Sequence, residues 1–155
     1  MTLRRNNDLL LTLAEYTDNF SEEHWSSCIG EVKYLPVNIA LKIIDKVPQY
    51  ILQKRVALLF ASYGKTSPEL VHALARKGVN FNELKRTPTW DTAIKRIIFL
   101  QAPVLYLAAK SGQSPETVKA LLEYNVDVNW KDANGKTAFD VATDPAVKKL
   151  LRSRR

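Results

Sequence analysis

The chain has 155 residues, a formal net charge of +7, 46% hydrophobic residues and 25% charged residues. These proportions are typical of a globular protein, and no run approaches the roughly 18 apolar residues of a membrane-spanning helix. The single cysteine, Cys28, excludes an intramolecular disulfide and indicates a reducing compartment. A cytoplasmic protein is therefore expected, with secretion into a host cell as the open alternative.

Apolar residues recur with the 3.6-residue period of helices along almost the whole chain. The LLLTLA run near the N-terminus is interpreted as part of a first structural helix, because it is shorter than the apolar core of a secretory signal. Helices are predicted at 8–16, 21–32, 36–47, 49–64, 67–78, 90–101, 103–112, 114–125, 136–143 and 145–155. The sequence thus predicts an all-α fold of short, paired helices.

Two of these segments nearly repeat each other. SPELVHALARKGVNFN (67–82) and SPETVKALLEYNVDVN (114–129) are identical at 8 of 16 positions and are offset by 47 residues. In both, serine and proline mark a helix start, and valine, alanine and leucine form an apolar face. The repetition predicts stacked copies of one structural unit.

The second copy carries the features of a known repeat. Residues 102–129 and the following WKDANGKTAFDVA resemble the ankyrin repeat family. The matching features are the inner-helix core Leu105–Ala109, the glycine Gly112, the outer-helix leucines Leu121 and Leu122, the exit Val126–Asn129, and the turn from Asp132 to Gly135. The resemblance implies an ankyrin-like helical repeat solenoid with an N-terminal helical cap.

A single domain, 1–155, is expected on this basis. It would comprise an N-terminal region of helical pairs or a cap (1–50), a divergent repeat (51–82), a clear repeat (103–130) and a C-terminal capping repeat (131–155). Ankyrin repeats run 33 residues, so the 47-residue offset leaves a surplus between 83 and 102. This segment is interpreted either as a decayed repeat or as an inserted helix lying across the finger side of the stack.

No constellation of catalytic residues is recognisable. The GKT at 64–66 lacks the earlier glycine of a phosphate-binding loop, because Leu59 stands at that position. His24 and His72 are the only histidines, and neither belongs to a metal-ligand cluster. The sequence therefore predicts no enzyme, no catalytic residue, no metal and no cofactor.

The resemblance instead implies protein–protein recognition through turn tips and inner-helix ends. Such a protein could serve as an inhibitor or immunity protein, an adaptor, or an effector directed at a host protein. The candidate partner-binding residues are Trp130, Lys131, Ala133 and Lys136 in a turn, Lys110 and Ser111 at an inner-helix end, Ser62 and Tyr63 in the earlier repeat, and Lys85 and Arg86 in the surplus segment. Trp130 could alternatively pack against that segment, and Tyr106 is expected to be structural.

Charge is concentrated in the middle of the chain. Residues 51–100 carry 9 Lys or Arg against 3 Asp or Glu, including four dibasic pairs. A basic field attracts acidic partners, so a partner protein with an acidic patch is expected. Two alternatives stay open: non-specific nucleic-acid binding through this basic region, and dibasic pairs that are merely the solvated faces of helices.

Overall fold

The computed structural model of the chain describes residues 20–61 and 66–154. Within them it contains eight helices and one β-hairpin, which confirms the mainly helical prediction. The elements are α1 (Glu22–Val32), α2 (Val37–Lys46), α3 (Gln49–Phe60), α4 (Pro68–Arg76), β1 (Lys85–Asp91), β2 (Arg96–Ala102), α5 (Val104–Ser111), α6 (Pro115–Leu122), α7 (Ala138–Val141) and α8 (Pro145–Arg152). The helix predicted at 8–16 lies outside the described residues.

The helices stack in two rows. The first helices of successive pairs contact one another in the order α1, α3, α5, α7, and the second helices follow as α2, α4, α6, α8. We call these the inner row and the outer row. The two SPE segments thus begin equivalent helices, α4 and α6, which pack side by side in the outer row.

Serine and proline start these helices as the sequence predicts, although the two serines are not equivalent. The Ser114 hydroxyl accepts a hydrogen bond from the Thr117 N–H at 3.3 Å, which satisfies one free donor of the first turn of α6. Ser67 occupies the same position before α4, but its buried hydroxyl has no hydrogen-bond partner within the described part of the chain. Pro68 and Pro115 follow at the first helical position, where a missing N–H costs nothing.

The asparagine that ends the first SPE segment joins successive repeats. The Asn82 side chain donates to the Asn125 carbonyl at 2.6 Å and accepts from the Asp127 N–H at 2.9 Å. Its amide group therefore satisfies backbone groups in the equivalent loop of the next repeat. This role explains why a side chain with both a donor and an acceptor stands at this position.

The hydrophobic core runs through all four helix pairs. Its fully buried side chains include Ile29 in α1, Ile43 in α2, Phe60 in α3, Leu74 in α4 and Leu121 in α6. Because each pair buries its apolar faces against the next, the stack forms one continuous core.

The helix predicted at 90–101 is wrong, and the prediction of an all-α fold is therefore confirmed only in part. The surplus segment forms an antiparallel hairpin, in which β1 pairs with β2 from Lys85↔Ala102 to Asp91↔Arg96. β-branched residues such as Thr89 and Ile98 favour extended backbone. The Asp91 carboxylate closes the turn by accepting the N–H of Ala93 at 2.9 Å.

Candidate protein-interaction surface

The hairpin lies across the inner row of helices. Strand β1 contacts both α3 and α5. The Trp90 N–H donates to the carbonyl of Ala61, just after α3, at 2.8 Å. At the hairpin turn, the Thr92 hydroxyl donates to the Lys110 carbonyl in the last turn of α5 at 3.0 Å. The hairpin is thus fastened to two successive inner helices near their C-terminal ends.

One face of the hairpin is buried against these helices. Thr87, Thr89 and Asp91 alternate along β1, and each of these residues is at most 6% exposed. Their cross-strand partners on the same face include Leu100 and Ile98. At these positions the inner-row helices therefore contact the hairpin and not solvent.

A small second core forms where the hairpin meets the helices. It consists of Ala57 in α3, Ala102 at the end of β2, and Tyr106 and Leu107 in α5, with Leu100 packed against them. Because the main core packs against the other residues of α5, every residue of this helix except Lys110 is buried.

The Tyr106 hydroxyl ties this second core to the turn before α7. It donates to the Asp132 carboxylate at 2.6 Å, and that carboxylate also accepts the backbone N–H groups of Asn134 and Lys136. Burial raises the pKa of the Tyr106 phenol well above its ordinary value, and the hydrogen bond to Asp132 raises it further. Burial alone would raise the pKa of Asp132 as well, but its hydrogen-bond donors outweigh burial and hold the pKa below its ordinary value.

An ion pair fixes the end of the hairpin. The Lys110 ammonium lies 3.2 Å from the Asp91 carboxylate, and both side chains are largely buried. Burial disfavours the charged form of Asp91, yet the backbone N–H of Ala93 and the Lys110 ammonium together lower its pKa below the ordinary value. The Asp91 carboxylate is therefore charged at neutral pH, and it lies against the Lys110 ammonium.

The opposite face of the hairpin is exposed and apolar. Ile97 and Phe99 on β2 are 63% and 64% exposed, and Ile94 in the turn is 53% exposed. Pro88 lies directly across from Phe99. The Arg86 guanidinium sits over the Phe99 ring, 5.2 Å from its centroid, a distance typical of a cation–π contact. We call Arg86, Pro88, Trp90, Ile97, Phe99 and Gln101 the outer face.

One edge of β2 has no backbone partner among the described residues. Because the Trp90 N–H points away from β2 toward Ala61, Trp90 and its partner Ile97 form a non-hydrogen-bonded pair. Pairs alternate along an antiparallel ladder, so Pro88↔Phe99 is also such a pair, which suits a proline without an N–H. The N–H and C=O groups of Ile97, Phe99 and Gln101 therefore point away from β1. No described backbone group outside the hairpin hydrogen-bonds to them.

A family comparison agrees with the stacked pairs. A model of ankyrin repeats, in three copies, matches residues 58–154, which is more than half of the chain. The chain belongs to the ankyrin repeat family. It is also 36% identical, over 93 residues, to an ankyrin repeat protein of Acanthamoeba polyphaga mimivirus. That match covers 59% of this chain and 51% of the viral protein, so the chain spans about half the length of this curated relative. No solved structure matches.

Three of the residues predicted to contact a partner are engaged within the fold. Ser111, predicted to contact a partner, is fully buried, and its hydroxyl donates to the Phe60 carbonyl at 2.6 Å. The Lys110 ammonium forms an ion pair with the Asp91 carboxylate. Trp130 is half-buried and packs edge-to-face on Tyr106 of α5, with ring centroids 5.1 Å apart. The alternative that it packs against the surplus segment stays a prediction.

The remaining predicted residues of this ankyrin protein divide into three groups. Lys131, Ala133 and Lys136 are exposed in the turn before α7. Arg86 is exposed on the outer face, whereas Lys85 is half-buried and lies 2.9 Å from the Glu83 carboxylate. Ser62 and Tyr63 lie outside the described residues.

Sequence reasoning missed the exposed apolar residues of this ankyrin protein, above all Ile97 and Phe99. Read as a helix, the RIIFLQ segment would bury them. The signal that could have identified them is the pair of β-branched runs around Thr89 and Ile98, at a position where an ankyrin stack carries its finger.

The acidic, histidine and cysteine side chains of the described residues are dispersed. Within 20–61 and 66–154, no group of three or more His, Cys, Asp or Glu side chains is arranged to hold a metal ion. Cys28 is buried, and burial raises the pKa of its thiol, which keeps it protonated at neutral pH. None of the helices in these ranges is both long and apolar enough to cross a membrane.

Proposed function

We propose that this ankyrin repeat protein binds a partner protein with an acidic patch through the outer face of its hairpin and the adjoining basic turn residues. The observation that carries the proposal is the exposure of Ile97 and Phe99 among basic side chains. Well-packed proteins seldom leave neighbouring large apolar side chains this exposed unless another molecule covers them.

Charge supports an acidic partner. Residues 85–102 contain four basic side chains, Lys85, Arg86, Lys95 and Arg96, against the single acidic Asp91. Asp91 is already neutralised by Lys110, so the hairpin presents a net positive field. Lys131 and Lys136 extend the basic surface. Such a field speeds encounter with an acidic protein and makes binding sensitive to salt.

The protein would act by occupying or tethering its partner, as an inhibitor or immunity protein, an adaptor or a host-directed effector does. Each of these roles needs the same exposed surface and no chemical step.

Photo-crosslinking followed by affinity measurement tests this proposal. A photoreactive amino acid at Phe99 should capture a protein in the native cell, whereas the same group at Tyr50, equally exposed at the start of α3, should not. With the captured partner purified, Phe99→Ala should weaken binding by more than about 1 kcal/mol, and Tyr50→Ala should leave it unchanged.

Two results would overturn the proposal. One is equal binding by the wild type and Phe99→Ala. The other is recovery of nucleic acid in place of protein, with an affinity that falls steeply with salt.

A further inference from the structure

Among the described residues, the edge of β2 that faces away from β1 lacks most of the features that usually protect an edge strand. Edge strands present unpaired N–H and C=O groups, and proteins usually protect them with proline, a bulge, inward-pointing charge or a covering loop. On β2, the outward groups of Ile97, Phe99 and Gln101 have no proline among them, and charge stands only at the turn, at Lys95 and Arg96.

We propose that β2 takes up an extended segment of the partner protein as a third strand, with apolar residues at alternate positions and acidic residues at its ends. This inference rests on the proposed function and specifies how the outer face would be used. Strand addition of this kind derives affinity from main-chain hydrogen bonds and specificity from alternate side chains.

The backbone fits an added strand. Ile97, Phe99 and Gln101 each direct one N–H and one C=O away from β1, at the two-residue spacing of a β-ladder. An antiparallel strand could hydrogen-bond to all three residues. The edge of β1 is not equivalent, because the Trp90 N–H is already bonded to the Ala61 carbonyl and Pro88 has no N–H.

The side chains define which residues the added strand would carry. Residues paired with Ile97 and Phe99 would place their side chains on the outer face, beside two large apolar groups. Lys95 stands at the turn end of this row, with Arg96 next to it on the other face of the strand. The Arg86 guanidinium lies over the Phe99 ring toward the opposite end of the row. Apolar residues in the middle and carboxylates at both ends therefore complement the edge.

The same charges argue against a second copy of this chain as the added strand. Pairing two β2 strands would bring together two hairpins that each carry four basic side chains and one acidic side chain. At a net charge of +7 per chain, repulsion opposes that contact.

A pair of modified peptides tests strand addition directly. The probe is an acetylated, amidated octapeptide with two glutamates at each end and valine alternating with threonine between them. If the valines pair with Ile97 and Phe99, their N–H groups face β2 and the threonine N–H groups face solvent. N-methylation of both valines should weaken binding at least about tenfold, whereas N-methylation of both threonines should change it less than about threefold.

A matched pair of protein variants tests the same contact from the other side. Gln101→Pro removes one outward N–H and leaves the cross-strand bonds of the hairpin in place, as Pro88 does on β1. Gln101→Ala keeps the N–H. Gln101→Pro should weaken the binding of the probe peptide at least about fivefold, whereas Gln101→Ala should leave its affinity unchanged. Amide spectra of the two variants report whether the hairpin is intact.

The outcomes separate this inference from the function on which it rests. Suppose that Phe99→Ala loses partner binding but the two N-methylated peptides bind equally well. This result would support the interaction surface and overturn strand addition. A wild-type dimer that Gln101→Pro dissociates would assign the edge to a second copy and also overturn it. Absence of saturable peptide binding at about 1 mM, an affinity near 4 kcal/mol, would overturn it too.

Discussion

Removing the Tyr106 hydroxyl should destabilise the fold by a predictable amount. Tyr106→Phe keeps the ring in the second core and deletes only the 2.6 Å hydrogen bond to Asp132. A hydrogen bond to a charged group contributes about 1.5–3 kcal/mol. Asp132 is only partly buried, so water can replace the lost donor and the lower end applies. We expect a loss of about 1.5 kcal/mol, or a fall in Tm of about 3–6 °C for a chain of this size.

Urea unfolding followed by circular dichroism at neutral pH measures this loss. A double-mutant cycle with Asp132→Asn isolates the pair, because Asp132→Asn alone also weakens the backbone bonds of Asn134 and Lys136. The coupling energy should be about 1 kcal/mol.

The difference in the free energy of unfolding between wild type and Tyr106→Phe should become smaller at acid pH. The folded-state pKa of Asp132 lies below its ordinary value. Its contribution to stability is therefore present above the unfolded-state pKa and is lost as pH falls through the folded one. The difference between wild type and Tyr106→Phe should narrow below about pH 4. A loss under about 0.5 kcal/mol at neutral pH, or a gap that is constant down to about pH 2, would refute the reasoning.

Three further predictions concern the hairpin contact, a turn and alkaline pH. Leu107→Ala should reduce the free energy of unfolding by about 2–5 kcal/mol, since Leu107 is fully buried in the second core. Gly135→Ala should cost about 1 kcal/mol in the same assay, because Gly135 has a φ of +78° although its surroundings leave space for a methyl group. The raised folded-state pKa of Tyr106 gives stability that is present below about pH 10 and is lost above it, so Tyr106→Phe should lose stability less steeply there.

The chain supplies matched controls for Leu107→Ala and Gly135→Ala. Ile94→Ala removes an exposed side chain of similar size and should leave stability within about 0.5 kcal/mol of the wild type. Gly30→Ala lies within α1, has open space for its methyl group and should stabilise by up to about 1 kcal/mol. If Leu107→Ala and Ile94→Ala changed stability equally, the burial of Leu107 would be contradicted. If Gly135→Ala and Gly30→Ala changed it equally, the left-handed backbone at Gly135 would be contradicted.

The repeat architecture was predictable because its signals are local. Ser114 and Pro115 mark a helix start, and Gly112, with φ +82°, ends the preceding helix where only a left-handed residue fits. The two SPE segments repeat these signals, so periodicity and capping agree with the final fold.

The hairpin was not predictable in this way because its pattern depends on what covers it. Ile98 and Leu100 lie on the face packed toward the helices, whereas Ile97 and Phe99 are exposed. Apolar residues on both faces erase the alternation that usually identifies a strand. The turn also lacks glycine, and Lys95 adopts the left-handed φ of +54° instead.

The candidate site was predicted only in part for the same reason. The basic character of the segment follows from its sequence, and Arg86 does reach the surface. The burial of Ser111 accompanies its hydrogen bond to the Phe60 carbonyl of the preceding repeat, a tertiary contact without a local sequence signal.

The outer face is available to a partner only if the hairpin lies across the inner helices as the structure places it. Disulfide trapping tests this placement most directly, because the hydroxyls of Thr92 in the hairpin turn and Thr143 after α7 are 3.5 Å apart. In a Cys28→Ala background, Thr92→Cys with Thr143→Cys should form an intramolecular disulfide under mild oxidation, and unfolding in urea before oxidation should reduce the yield. Two thiols that stay free and reactive in the folded protein would contradict the account.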